Sequence, residues 1–361
     1  MQNVFAALLF GSSALFLTGC GDSAPENIAR SATQPPATPA QPTATVAETT
    51  TPAVPETLPC RVFDLHYGAT LKALPANATV KIWLPLPQDN NHQIIETLTR
   101  ELPAKPQIAT EPKYGNKILY FETRAVESEP LAFNLSYRVT RQEVEGLEAG
   151  RATVLSDEER QRFLTANTMV PLGGKPADLL TDIQLLNEDP LGLAKVLYNR
   201  VDEHMKYDKS RPGYGTGDAV WACDSRFGNC TDFHSLFISM SRTKGVPARF
   251  EIGFPIPPER GAGKIGGYHC WAYFFTPNHG WVPVDISEAD KHPEFKNYYF
   301  GNLTADRVTF TVGRDIDLVP KQAGKPLNFF VYPHVEVNGR QLPKEQIELA
   351  FRYEDQAPCD E

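Results

Sequence analysis

The chain has 361 residues, 41% of them hydrophobic and 22% charged, so it is long enough for two ordinary domains and has a globular composition. Its formal net charge is −9, and no basic cluster offsets that balance. Both features argue against nucleic acid as a partner, because phosphate binding requires a basic surface.

The first segment, residues 1–19, is predicted to be a signal peptide. Positions 4–17 are almost wholly apolar but too few to span a bilayer comfortably, and the segment has no Lys or Arg, unlike most signal peptides. It ends in Leu-Thr-Gly before Cys20, which resembles the lipobox of bacterial lipoproteins. That resemblance implies a lipidated Cys20, and Gly21 after it favours the periplasmic face of the outer membrane. Cleavage without lipidation is the alternative.

Residues 20–59 are predicted to be a disordered linker behind the lipidated cysteine. They repeat Pro, Ala and Thr without an apolar period. Such a segment buries too little surface to fold, and its prolines keep it extended. A lipid anchor followed by such a linker holds a domain away from the membrane.

Residues 60–150 are predicted to form a small β-sandwich domain. Apolar residues alternate with polar ones around 63–67, 80–84 and 131–139, and a turn signal precedes 118–121. Several short strands separated by turns are typical of this architecture. Nothing in the segment indicates catalysis, so we interpret it as a scaffold or docking module.

Helical signals follow, in residues 151–290. Ser156 begins a capping box, Asp189 precedes a proline at a first helical position, and Asn229 is a good N-cap. The segments after Gly245 are strand-like. Residues 291–361 carry further strand signals and are predicted to extend the same core sheet.

Three residues in this region have the chemistry of a thiol enzyme. Cys230 follows the cap Asn229, so unpaired amides and the helix dipole favour its thiolate. His269, at the start of one predicted strand, is the candidate base, and Asp285, after the next, is the candidate orienter. The backbone amide of Cys230 is the first candidate oxyanion donor. Trp221 and Asn229 are candidates for the second.

The motifs around these residues resemble the transglutaminase-like superfamily. They are Gly-Asn-Cys-Thr-Asp-Phe at 228–233, Gly-Val-Pro-Ala-Arg at 245–249, His269 before Trp-Ala-Tyr, and Gly-Trp-Val-Pro-Val-Asp at 280–285. The resemblance covers roughly residues 190–290. It implies an α+β, papain-like fold, in which the helix bearing the cysteine packs on an antiparallel sheet. It also implies catalysis by Cys230, His269 and Asp285 without a cofactor.

Rival interpretations of the same residues remain open. His234 lies one helical turn after Cys230 and is a rival base or metal ligand. Cys230, His234, His269 and Cys270 also form a possible zinc set, although they lack the paired spacing of most zinc sites. We therefore predict no metal.

The other cysteines are candidates for disulfides in an oxidising compartment. Cys60 with Cys359 would tie the ends of the folded region together, and Cys223 with Cys270 would form a second bridge. Spacing alone does not establish either pairing.

The predicted function is acyl transfer to, or hydrolysis of, peptide or isopeptide amide bonds through a Cys230 thioester. The partners would be a peptide or protein substrate in the cell envelope and the membrane itself. The alternative is a non-catalytic, peptide-binding or scaffolding lipoprotein.

Overall fold

The structure is a computed structural model that describes residues 55, 59–148, 153–181, 183, 189–357 and 359. The predictions for residues 1–19, Cys20 and most of the linker 20–59 lie outside this part. In it, no helix combines the length and the apolar composition needed to cross a bilayer.

The described part contains many short strands and a few helices. In chain order, the strands are β1 (Cys60–Leu71), β2 (Thr79–Leu86), β3 (Gln93–Glu101), β4 (Gln107–Thr110), β5 (Lys117–Arg124), β6 (Leu131–Gln142), β7 (Val144–Glu145), β8 (Lys206–Tyr207), β9 (Phe227–Gly228), β10 (Ala248–Pro255), β11 (Ala262–Lys264), β12 (His269–Thr276), β13 (Gly280–Val284), β14 (Asn302–Leu303), β15 (Arg307–Val312), β16 (His334–Val337), β17 (Arg340–Gln341) and β18 (Ile347–Asp355). The α-helices are α1 (Asp157–Leu164), α2 (Lys175–Asp178), α3 (Pro190–His204), α4 (Ala219–Ser225), α5 (Cys230–Thr243) and α6 (Ile286–Lys291). Short 3-10 turns lie at Pro293–Phe295 and Lys344–Gln346.

Two five-stranded antiparallel sheets form a β-sandwich around an apolar core. One has the strand order β11-β18-β1-β6-β3, and the other has β17-β16-β2-β5-β4. Phe63, Leu65 and Tyr67 of β1 are buried, as their period of two predicts. Phe121 of β5 and Phe133 of β6 meet across the two sheets, with ring centroids 6.0 Å apart.

The C-terminal strands correct one prediction about residues 291–361. Only β15 joins the four-stranded sheet that contains β10, β12 and β13, where it pairs with β10. β16 pairs with β2 and β18 pairs with β1, so these strands complete the sandwich instead of extending the four-stranded sheet. The alternation of residues indicates which face of a strand is buried, but it does not indicate which strand lies beside it. The sandwich is therefore built from both ends of the folded region.

The structure also contains a four-stranded antiparallel sheet, separate from the two sheets of the sandwich, with the order β13-β12-β10-β15. Helix α5 packs against β12 and β10, and α3 and α4 pack against α5 in turn. The helix is therefore buried from Cys230 through Arg242. Phe237 of α5 contacts Phe274 of β12 edge to face, with centroids 6.2 Å apart. The predicted fold class, a helix bearing the cysteine on an antiparallel sheet preceded by a β-sandwich, is confirmed.

Arg61 connects the sandwich to the four-stranded sheet. Its buried guanidinium lies 2.6 Å from Asp306, which precedes β15, and 2.8 Å from Asp355, which ends β18. The preceding residue, Cys60, forms a disulfide with Cys359. A covalent bridge and a buried ion-pair cluster thus lie side by side where the two ends of the folded region meet.

Candidate active site

Cys230 is the first residue of α5, and its N-cap is fixed by a reciprocal pair of hydrogen bonds. The side chain of Asn229 accepts from the backbone amide of Thr231 at 2.9 Å, and Asp232 accepts from the backbone amide of Asn229 at 3.0 Å. The first amides of a helix have no acceptor within the helix. The amide of Cys230 is therefore available to an oxyanion, and the thiol lies at the positive end of the helix dipole.

His269 and Asp285 come together because β12 and β13 are neighbouring antiparallel strands. The last residue of β13, Val284, pairs with Ala272 of β12, which brings the residue after β13 close to the start of β12. His269 Nε2 lies 2.7 Å from Asp285 Oδ2. That contact leaves Nδ1 for the thiol, and the neighbouring Cys230 side chain is one of the groups that raise the pKa of His269. The structure thus brings the three candidate catalytic residues into one cluster.

The two carboxylate oxygens of Asp285 accept hydrogen bonds from different partners. Oδ1 caps α6, accepting from Ser287 Oγ at 3.1 Å and from the amide of Glu288 at 3.2 Å. Oδ2 accepts from His269 and also from Arg307 Nη1 at 2.9 Å. Asp285 is fully buried and Arg307 is 3% exposed. The orientation of the imidazole is therefore fixed by a carboxylate that is itself held on both sides.

Arg307 is a site residue that sequence reasoning misses. It begins β15, in a segment whose pattern predicts only a strand. The available signal is a cation in a strand whose other residues are almost all buried, since such a charge requires a partner inside the protein. Its guanidinium also lies over the ring of Trp271, 4.8 Å from the centroid.

The charges in the cluster favour a thiolate–imidazolium pair. Burial disfavours the thiolate, but hydrogen bonds from Cys270 and His269 and the positive charge of His269 outweigh it, and they hold the pKa of Cys230 well below its usual value. Burial likewise opposes the imidazolium, but Asp285 and the Cys230 thiolate raise the pKa of His269 to about 10. The pKa of Asp285 is held well below its usual value against burial by His269 and Arg307.

His234, the rival base, has a different role. Its Nε2 accepts a hydrogen bond from the amide of Ile286 at 3.1 Å, so the ring is neutral there. Burial lowers its pKa to about 4, despite the nearby carboxylate of Asp285. A neutral, fully buried imidazole that anchors the start of α6 is a packing element and not the base.

The geometry also weighs against a metal ion at the cluster. Among the described residues, His269, Asp285 and Glu288 bring ligand atoms within 4.8 Å of one another. However, His269 Nε2 is already occupied by Asp285, and the guanidinium of Arg307 lies 2.9 Å from the same carboxylate oxygen. A second cation there would be repelled.

The two candidates for the second oxyanion donor occupy defined positions. Asn229 donates from Nδ2 to Tyr268 Oη at 3.0 Å, while its Oδ1 caps the helix. The ring of Trp221, on α4, packs edge to face on Phe227, with centroids 5.2 Å apart. β9, which contains Phe227, leads directly into Asn229. The role of either residue toward an oxyanion stays a prediction.

Of the two disulfides considered, the structure contains the one between Cys60 and Cys359 and contradicts the other. Cys223 and Cys270 are both free thiols. Cys223 lies on α4 and contacts the carbonyl of Lys175 at 3.5 Å. Cys270 instead faces the start of α5, 3.8 Å from Thr231 Oγ1. The two thiols flank Cys230 and His269 in sequence but belong to different contacts in space.

A glycine-rich segment lies against the start of α5. Asp232, which completes the capping box of α5, is fully buried and accepts from the amides of Gly215 at 2.7 Å and Gly217 at 2.9 Å. A Cβ on Gly217 would come within 2.5 Å of Thr231 Cγ2, and its φ is +61°. Glycine is therefore required for this close approach.

One segment of the chain is similar to a known family. Residues 178–286 match the family model of the transglutaminase-like superfamily. The match contains Cys230, His269 and Asp285.

Similar proteins include one relative and several solved structures. An uncharacterized protein of Haemophilus influenzae is 27% identical over 317 residues, which cover 76% of this chain and 84% of that protein. The crystal structure of a proposed cysteine protease from Cytophaga hutchinsonii is similar with a TM-score of 0.50 at 16% identity, over 84% of this chain and 92% of that one. The periplasmic domain of TgpA from Pseudomonas aeruginosa gives a TM-score of 0.36 at 17% identity, over 65% and 90% of the two chains. At 16% identity, the Cytophaga hutchinsonii structure supports the fold alone.

Proposed function

We propose that the protein is a thiol enzyme that cleaves or transfers peptide or isopeptide amide bonds through a thioester on Cys230. One observation carries the proposal. The thiol at the start of a helix, the imidazole and the carboxylate are buried together: His269 Nε2 lies 2.7 Å from Asp285 Oδ2, and Cys230 is near enough to His269 to raise its pKa. A cysteine with a depressed pKa, at a helix N-terminus and beside an imidazolium, has the environment of a reactive thiol.

The residues divide the reaction between them. The Cys230 thiolate attacks the amide carbonyl, the sulfur–carbon bond forms, and the resulting oxyanion is stabilised by the amide of Cys230. His269 gives its proton to the nitrogen of the leaving amine as the carbon–nitrogen bond breaks. In the second half, His269 takes a proton from water or from an acceptor amine, which attacks the thioester and releases the thiolate. Asp285 keeps Nδ1 of the imidazole directed at the sulfur throughout.

Hydrolysis is the favoured outcome of the second half. Water is present at about 55 M, whereas transfer requires a bound amine, so a site without a dedicated amine pocket hydrolyses its thioester. The substrate class is then a peptide or isopeptide amide of the cell envelope.

We further propose that the enzyme is lipid-anchored through Cys20 on the periplasmic face of the outer membrane. The lipobox resemblance and the Pro-, Ala- and Thr-rich linker 20–59 support this location. The bridge between Cys60 and Cys359 supports an oxidising compartment. Membrane fractionation of the full-length protein and of Cys20→Ser tests the anchor. Recovery of both in the same fraction contradicts it.

The alternative, a non-catalytic peptide-binding lipoprotein, is favoured by one observation. Cys230 is only 3% exposed and His269 only 6%, so a substrate carbonyl has little access to the sulfur in this conformation. A binding protein would keep its ligand affinity and its cellular phenotype after Cys230→Ala. The proposed enzyme would lose turnover.

The deciding experiment looks for the thioester itself. The full-length protein is incubated with an envelope peptide library, with and without a labelled primary amine, and the mass of the peptide that contains Cys230 is followed. We expect an acyl adduct on Cys230 that disappears with time, cleaved peptides, and no adduct in His269→Ala. Label in the products would establish transfer instead of hydrolysis. Cys223→Ala is the matched control and should form adduct and products like the unchanged protein. If the unchanged protein forms neither an adduct nor cleaved products, the proposal that it is an enzyme is contradicted.

A further inference from the structure

The nucleophile and the base both lie where regular secondary structure begins. Cys230 is the first residue of α5, and His269 is the first residue of β12. Helix ends fray, so the position of Cys230 depends on the side chains around the start of α5. The contacts that join this helix start to the segment before β12 therefore decide how Cys230 lies relative to His269.

Tyr268, the residue before His269, makes this connection through its hydroxyl. Tyr268 Oη accepts a hydrogen bond from Asn229 Nδ2 at 3.0 Å and shares another with Thr231 Oγ1 at 2.8 Å. Asn229 and Thr231 are the residues on either side of Cys230, and both are buried. One oxygen atom thus holds the helix start on both sides of the nucleophile.

The partners of Tyr268 are themselves tied to the backbone of the helix start. Asn229 Oδ1 accepts from the amide of Thr231 at 2.9 Å, which fixes the side-chain amide whose Nδ2 donates to Tyr268. Asp232 accepts from the amide of Asn229 at 3.0 Å. A displacement at the Tyr268 hydroxyl is therefore passed to the backbone that carries Cys230.

Tyr268 is also held on its own side of the site. Its amide donates to Tyr332 Oη at 3.0 Å, and its ring centroid lies 5.5 Å from that of Phe329 and 5.8 Å from that of Tyr332. The thiol of Cys270 donates to the same Thr231 hydroxyl at 3.8 Å. The bond from Tyr268 is shorter, so it is the stronger link between the helix start and the segment that supplies the base.

We propose that Tyr268 is a positioning residue whose hydroxyl sets the place of Cys230 relative to the imidazole of His269. It acts through Asn229 and Thr231, and no proton passes to or from it during the reaction. Its use in turnover rests on the proposed function, whereas its effect on the free thiol does not.

Replacing Tyr268 by Phe removes this hydroxyl without changing any charge. Burial raises the pKa of Tyr268, so its hydroxyl is neutral around neutral pH. The ionisable side chains around Cys230 all remain: Asp232 and His234 on α5, His269 and Cys270 on β12, Asp285 at the start of α6, Tyr207 on β8, and Tyr332. A change in the titration of Cys230 would therefore report a change in its position.

The test follows alkylation of Cys230 by iodoacetamide against pH in the full-length protein. Trypsin separates the free thiols of the described region, because residues 227–242 contain Cys230 while Cys223 and Cys270 lie in other peptides. We expect Tyr268→Phe to move the alkylation midpoint upward by about one pH unit, the effect of weakening one hydrogen bond to a charged group. With a peptide substrate, kcat should fall about 10-fold at unchanged KM, since the reacting groups are misplaced but binding is not altered.

Thr231→Val removes the same hydrogen bond from the other side and should shift the midpoint in the same direction. Because both changes break one bond, the double variant should shift it by less than the sum of the two. Additive shifts would mean that Tyr268 does not act through Thr231, and they would overturn the proposal.

Tyr353→Phe is the matched control, since it removes a buried hydroxyl that donates to the Glu259 carbonyl at 2.8 Å in the sandwich. A Tyr268→Phe midpoint equal to that of the control overturns the proposal, even if the thermal midpoint falls.

If Tyr268→Phe does not fold, Thr231→Val is compared with Thr231→Ser, which keeps the hydroxyl. Only the Val variant should shift, and equal midpoints overturn the proposal. Alkylation requires no substrate. Absent amide turnover in the unchanged protein therefore contradicts the proposed function alone, and an unshifted midpoint contradicts the role of Tyr268 alone.

Discussion

The β-sandwich and the catalytic layer bury different kinds of chemistry at the same depth. The sandwich interior is hydrocarbon and aromatic, as at Leu65, Ile82 and Phe121, each no more than 1% exposed. Beside the four-stranded sheet, comparably buried positions hold Asp285, which caps α6, and Arg307, which begins β15. Apolar burial stabilises a fold by about 25 cal/mol per Å². Buried charges contribute little net stability even when paired, and removing one partner is costly.

This contrast separates stability from activity within one molecule. The sandwich supplies a framework whose contacts do not depend on protonation. The catalytic layer carries a set of charges that remain ionised only because each has a partner. Substitutions in the two regions should therefore have different effects. We expect those near Cys230 to reduce turnover and those in the sandwich to reduce stability alone.

Replacing the nucleophile should give the largest loss. Cys230→Ala removes the proposed nucleophile, and we expect turnover to fall by about 10⁴-fold or more. The thermal midpoint should change little, since the substitution removes one small group. Assays of the purified full-length protein on its best peptide substrate measure the loss. Equal activity in Cys230→Ala and Cys223→Ala would mean that the catalytic layer does not catalyse.

Asp285→Asn should reduce activity and stability together. The amide no longer favours the imidazolium, and a loss of turnover by about 10⁴-fold is expected from the equivalent change in a serine protease triad. Arg307 keeps its buried charge but loses the carboxylate 2.9 Å away, which should cost about 3–5 kcal/mol of unfolding free energy. Denaturant unfolding measures this cost. An Asn variant as stable as wild type would contradict the ionic character of this interior.

Arg307→Gln should change the pH profile more than the maximal rate. Arg307 offsets part of the Asp285 charge, so its removal exposes His269 to a stronger anion and raises an imidazole pKa that is already about 10. A higher pKa keeps His269 protonated to higher pH, so the alkaline limb of kcat/KM should move upward, by about one pH unit. The neighbouring cation Arg249, paired with Glu251, gives a matched control in Arg249→Gln. A shift of the alkaline limb to lower pH would contradict the prediction that removing Arg307 raises the pKa of His269.

Removing the disulfide should affect stability alone. Cys60→Ser with Cys359→Ser opens a bridge across 299 residues and should cost about 2–4 kcal/mol of unfolding free energy. The alkylation midpoint of Cys230 should not move, because the bridge lies at the sandwich end of the Arg61 cluster. Unfolding and alkylation are measured on the same sample. A shifted midpoint would mean that the two regions are coupled and that stability and activity are not separable.

Local features are predictable from sequence because their signals are short. The caps at Ser156, Asp189 and Asn229 each bond to amides within three residues, and the structure has all three. The motifs that contain the cysteine, the histidine and the aspartate, in that order, are enough to indicate the cluster. The alternation in β1 and β6 indicates the sandwich.

Long-range contacts are not predictable in the same way. Arg307 acts on a carboxylate 22 residues earlier, and Gln93 bonds to Thr309 across 216 residues, without any motif that links them. The pairing of Cys223 with Cys270 is wrong because both flank the cluster in sequence but face different neighbours. The predicted partners of β16 and β18 are wrong for the same reason. A sequence pattern indicates what a residue requires, such as burial or a counter-charge, but not which distant group meets that requirement.

The position of β1 has a consequence for how the protein is made. β1 lies between β6 and β18, so the first described strand has one open edge until the last described strand has left the ribosome. During synthesis the emerging chain carries an unpaired, half-apolar edge for the time needed to translate about 200 residues, at roughly 5–20 residues per second. An exposed edge of this kind is open to wrong pairing.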